Sequence, residues 1–136
     1  VIVSAGGNDA LRRSFDDERF GADLTSIVGP LVAQGVQLVP IGLFDLARSG
    51  LVPDPYAGPV AERFDRLDAL TGRVAAEHGG VHVGNHAHPL VADPGIFAGD
   101  RIPCNARGHA TAAANLARTL SSLLTRSEAQ DTAPLE

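Results

Sequence analysis

The sequence predicts an α/β fold, a three-layer α/β/α sandwich in which a parallel sheet is covered by helices. Short β-branched apolar runs alternate with longer stretches of helical spacing, and three strand-helix units can be drawn along the chain. Bulk composition agrees. Of 136 residues 44% are hydrophobic, with 11 basic and 16 acidic side chains, as in one globular domain whose core forms without disulfides.

The first strand covers about residues 1–5 and opens Val1-Ile2-Val3, continuous and apolar as in a strand buried on both faces. It ends at Gly6-Gly7-Asn8-Asp9, where a loop is expected. Asp16-Asp17-Glu18 then brings acid to the front of a helix, where it suits the helix dipole, and Phe20, Leu24, Ile27, Val28 and Leu31 supply its apolar stripe. Gly29-Pro30 should kink or split that helix.

The second strand runs from Val36 to Gly42 and leads into a long loop containing Pro53, Pro55 and Pro59. A helix over about 58–78 has the cleanest period in the chain, with Val60, Phe64, Leu67, Thr71 and Val74 on one face. Gly79-Gly80 stops it, and His78 beside that stop suits the negative end of the dipole. The third strand is the short Val81 to Gly84, followed by a long loop through Pro89, Pro94 and Pro103. Asn105 is the expected N-cap of a last helix over about 106–124, whose core stripe is Ala113, Leu116, Ala117, Leu120, Leu123 and Leu124. One domain over 1–126 is expected, with a disordered polar tail over 127–136.

Charge and cysteine content narrow the function classes. A formal charge of −5 and a pI near 5.4 argue against a nucleic-acid partner, since such modules carry a net basic face. The basic residues are all Arg, which reads as codon bias rather than as a site. Cys104 is alone, so no internal disulfide forms, and it reads as a packed residue rather than a reactive thiol. No run approaches the roughly 18 apolar residues of a membrane span. The chain opens without Met inside an apolar run, so the N-terminus and any signal segment are expected upstream, which leaves cytoplasm or secretion open. An unpaired apolar edge along Val1 to Ala5 would then favour self-association.

Chemistry in a parallel sheet gathers beyond the carboxyl ends of the strands. There Gly6-x-Asn8-Asp9 resembles the G-x-N-D block of the SGNH or GDSL-type hydrolases, and Asp100-Arg101-Ile102-Pro103-Cys104-Asn105-Ala106-Arg107-Gly108-His109 resembles their closing block. The resemblance implies a flavodoxin-like fold, of which this chain would hold the last three βα units in truncated form. It also implies an esterase or lipase using Ser-His-Asp acyl transfer on a small-molecule ester or lipid.

Carried over by position, Asn8 would donate a side-chain N–H to the oxyanion and Asp100 would orient the histidine, with Gly6 and Gly7 at the substrate. Asp9 would hold the loop. The nucleophilic G-D-S-type turn is not in these 136 residues, and Ser4, Ser14, Ser26 and Ser49 lack its context. Pro103 stands where the Asp-x-x-His pattern has its histidine, and His109, six residues on, matches the following Gly-His. Hydrolysis by this chain is therefore expected to be absent or very weak.

Two alternatives follow. One is a non-catalytic acyl- or carbohydrate-binding pseudoenzyme that keeps the cleft. The other is a metal site at His82, His86 and His88, which share parity, with an oxygen from Asp93 or Asp100. Gly84-Asn85 breaks that parity, so the histidines read as ordinary loop residues, and neither metal nor cofactor is expected.

Overall fold

The computed structural model describes residues 1–100 and 103–131. Strand β1 (Ile2–Val3) pairs in parallel with β2 (Val39–Pro40), Ile2 opposite Val39 and Val3 opposite Pro40. The N–H groups of Val39 and Ile41 donate to the carbonyls of Val1 and Val3, each at 2.8 Å. On the other side of β2, Val81 and Val83 donate to Leu38 and Pro40 at 2.9 and 2.8 Å, yet only Ile41 and Val83 form a bridge. The three apolar runs thus align in the predicted order, but the ladders are short. Among the described residues no strand pairs with the outer edge of β1, where Val1 and Ile2 are exposed.

Four α-helices hold half of the chain: α1 (Gly7–Leu11), α2 (Asp17–Val32), α3 (Ala57–Glu77) and α4 (Ala106–Asp131). Asp16 caps α2, accepting from the Arg19 N–H at 2.9 Å. Phe20, Leu24 and Val28 are buried along it, whereas Ile27 lies off that line and is exposed. Despite Gly29-Pro30, α2 continues to Val32, because Pro30 falls in the last turn and removes a single backbone hydrogen bond there. Helix α3 matches its predicted bounds to a residue and buries all five predicted stripe positions. It ends at Gly79, in the left-handed region at φ 65°, and the His78 ring donates to the Val74 carbonyl at 2.9 Å.

The predicted three-layer α/β/α sandwich with its flavodoxin-like sheet does not form. Among the described residues about 60% are helical, 3-10 turns included, and only two short parallel strands form. Helix α2 packs on α3, which also touches β2. A two-residue strand spans about 7 Å, against about 39 Å for the 26 residues of α4, so no sheet face exists for the α4 stripe to cover. Ala113, Ala117 and Leu124, expected in the core, are exposed, while Leu116, Leu120 and Leu123 are half-buried. Helix α4 docks through its N-terminal half, against Pro94–Ile96 and Asn85. Its backbone runs to Asp131, past the end of the apolar period at Arg126, and residues 132–136 of the predicted tail lie outside the described residues.

The core is organised by α3, whose Val60, Phe64, Leu67, Leu70 and Val74 meet Ala10, Leu24, Val28, Leu38 and Ile96 in one cluster.

Candidate functional site

A cleft of about 480 Å³ opens where β1, the segment after β2 and the segment before α4 meet. One wall is Ser4, Gly6, Gly7, Asn8 and Asp9, the other Pro103, Cys104 and His109, and the floor is Leu43, Phe44, Leu46, Phe64 and Phe97.

Backbone geometry explains the glycines of the first wall. Gly6 has φ 94°, and a methyl group there would overlap Leu67 Cδ1 and stand 2.8 Å from Phe20 Cε2. At Gly7 the same group would meet Leu43 Cδ1 at 3.1 Å. Only glycine lets the chain turn this close to α3. The expected loop at 6–9 instead becomes the first turn of α1, because buried Ala10 donates its N–H to the Gly6 carbonyl at 2.9 Å and its own carbonyl accepts from Arg63 Nε at 2.6 Å. Asn8 is exposed on the cleft and makes no side-chain hydrogen bond among the described residues.

The second wall is built by the closing block. Phe97 and Cys104 form an antiparallel bridge, with the Ala98 N–H donating to the Pro103 carbonyl at 2.8 Å. Asn105 ties this hairpin together, its Nδ2 donating to the Gly95 and Phe97 carbonyls at 2.7 and 2.9 Å. Its Oδ1 accepts from the Arg107 and Gly108 N–H groups, which is the predicted N-cap of α4. Gly108 has no room for a side chain, since a Cβ would collide with the Ile96 carbonyl and approach Cys104 Cβ at 2.9 Å. Burial pushes the Cys104 thiol pKa up, which suppresses the thiolate, as the packed reading requires.

Other predicted residues stand apart. Asp100 is exposed in the turn Gly99–Asp100 and is not among the residues lining the cleft. Arg101 and Ile102 of the same block lie outside the described residues. Ser26 and Ser49 donate to the carbonyls of Asp23 and Leu46 at 2.7 and 2.6 Å, and Ser14 lines a smaller hollow of about 270 Å³.

The three histidines weighed as a metal set do not converge, because each is taken by a different neighbour. His82 Nε2 is 3.2 Å from Asp68 Oδ1, and His86 Nε2 is 2.6 Å from Asp65 Oδ1. His88 Nδ1 accepts from the Leu90 N–H at 3.1 Å, with its ring edge-on to Phe44. Asp93 accepts from the Gly95 N–H and pairs with Arg107. What does converge is Asp45, Asp65 and His86, whose ligand atoms all lie within 4.8 Å of one another. Asp65 lies 20 positions after Asp45 and His86 another 21 on, so no local spacing announces the group. Among the described residues no helix is long and apolar enough to cross a membrane.

No family model matches the chain, and neither does any curated protein or solved structure.

Proposed function

We propose that the cleft is the acyl-ester site of an SGNH/GDSL-type carboxylic-ester hydrolase, and that these 136 residues bind an ester with little or no turnover of their own. The supporting observation is that Gly6 to Asp9 of one motif-bearing segment and Pro103, Cys104 and His109 of the other line one cleft although they lie far apart in the chain. Asn8 at the rim would donate to the carbonyl oxygen as it becomes an oxyanion. Gly6 and Gly7 would let the ester approach the backbone, and the floor of Leu43, Phe44, Leu46, Phe64 and Phe97 suits an apolar acyl group. Asp100 keeps its place in the motif as the histidine-orienting carboxylate, but Pro103 leaves it no histidine to orient.

A second reading, a non-catalytic acyl-binding pseudoenzyme, is favoured by one feature. Pro103 lines the cleft, so an apolar ring that cannot take a proton stands where the motif has its base.

Displacement of a fluorescent medium-chain fatty acid, run beside hydrolysis of a p-nitrophenyl ester, tests both. The expected result is saturable binding weakened by Leu43→Asp, with hydrolysis at background. Absence of binding would overturn the acyl site. Hydrolysis abolished by Asn8→Ala would instead overturn the expected inactivity and the pseudoenzyme.

A further inference from the structure

We propose that Asp45, Asp65 and His86 form a binding site for a divalent transition-metal ion of the zinc class, competed for by the guanidinium of Arg48. The site is separate from the acyl cleft, whose lining includes none of these four residues. Three chain segments supply the ligands: Asp45 precedes the helical turn Leu46–Ser49, Asp65 lies on α3, and His86 follows the third apolar run. Asp45 is fully buried and His86 is 8% exposed, while Asp65 faces solvent. The group therefore has a closed floor and an open side through which an ion can enter.

Its donors are two carboxylate oxygens and one imidazole nitrogen. Calcium and magnesium favour all-oxygen shells, whereas an imidazole with carboxylates suits zinc and its neighbours. Three protein ligands leave a further position for water, the usual arrangement of an open zinc site.

The charge balance points the same way. Two carboxylates, one of them buried, are answered by a single cation: Arg48 Nε is 3.1 Å from Asp45 Oδ2, and its NH2 is 3.8 Å from Asp65 Oδ1. Arg48 is itself about half exposed, at 47%, and sits on a flexible stem, so it can leave toward solvent. A dication in its place would match both carboxylates.

The imidazole sets the strength of the site. His86 Nδ1 is buried without a hydrogen-bond partner, so the ring is held from one side only, through Nε2 and Asp65. When the Nε2 lone pair goes to a metal, the single proton of the neutral ring moves to Nδ1 and the hydrogen bond to Asp65 is replaced by two metal bonds. No electron is transferred. Because nothing accepts from Nδ1, affinity should be about 10- to 100-fold weaker than at a site with such an acceptor.

The test titrates the chelator-treated full chain with Zn²⁺ by calorimetry, and with Co²⁺ by visible absorption. One equivalent should bind. His86→Ala and Asp65→Asn should each weaken binding at least about tenfold, and Arg48→Ala should tighten it. Asp65 is exposed, so Asp65→Asn keeps the test valid if His86→Ala fails to fold, and Arg48→Gln serves likewise for Arg48→Ala. Sub-stoichiometric binding in both the native chain and the Arg48 variant would overturn the proposal. So would binding that survives Asp65→Asn and His86→Ala unchanged, or that weakens when Arg48 is removed.

Discussion

Asn115 on α4 donates a 2.7 Å hydrogen bond to Oδ1 of Asn85, a side chain that is 1% exposed and whose Nδ2 donates in turn to the Gly42 carbonyl at 3.0 Å. This relay joins the last helix to the end of β2 across an otherwise thin contact. Asn115→Ala leaves a buried oxygen without its donor and should cost about 1–3 kcal/mol. Urea unfolding followed by circular dichroism measures it. A cost near zero would mean that α4 is held by something other than this relay.

Gly6 is the tightest backbone position on the cleft. Gly6→Ala combines a left-handed φ with overlap on Leu67 and Phe20, and a loss of about 1–3 kcal/mol is expected. Shortening the obstructing side chain should relieve part of it. In a double-mutant cycle, Leu67→Ala should therefore cost less in the Gly6→Ala background than in the native chain. Additive costs would show that the two residues do not collide.

Asp93 ties the cleft's outer hairpin to α4. The Gly95 backbone N–H chiefly, and Arg107 beside it, hold its carboxyl below the usual range against a smaller opposing desolvation. A carboxylate whose pKa is lower folded than unfolded stabilises the fold above its unfolded pKa and loses that contribution as pH falls through the folded value. The stability gap between native protein and Asp93→Asn should thus be constant near neutrality and vanish in acid. Chemical denaturation from about pH 7 down to about pH 2 spans the window, and a gap that widened on acidification would contradict the assignment.

Cys104 has a raised pKa from burial and lines the cleft. Its alkylation by iodoacetamide at mildly alkaline pH should be slower than that of a free thiol and should accelerate on unfolding. A cleft-bound fatty acid should slow it further. Labelling at the rate of a free thiol in the native chain would refute the shielded placement.

Legibility in the sequence followed the range of each interaction. Helix α3 was readable because its period is set by one face, and the cap Asn105 because a cap acts on N–H groups two or three residues away. The apolar runs at 1–5, 36–42 and 81–84 were found in place but overestimated in length. How far a ladder extends depends on the partner strand as much as on the run itself. The α4 stripe misled for a related reason, since spacing tells which face is apolar but not whether a surface awaits it.

At the cleft, Gly6 to Asp9 and Pro103 stand where the sequence drew attention and Asp100 does not, while Leu43, Phe44 and Phe97 are apolar residues in loops with no period to mark them. His86 stood out in the sequence, but beside His82 and His88, whereas Asp45 and Asp65 did not, because only the fold makes them its neighbours.

Helix α3 also sets what can change independently. Phe64 faces the cleft floor, Asp65 holds His86, and Asp68, nearly one turn later, stands against His82. Rolling the helix by one residue, about 100°, would withdraw the floor and release both histidines in the same movement. The shape of the cleft and the course of the loop over residues 82–88 are therefore a single inherited trait, and a substitution that re-seats α3 cannot alter one while sparing the other.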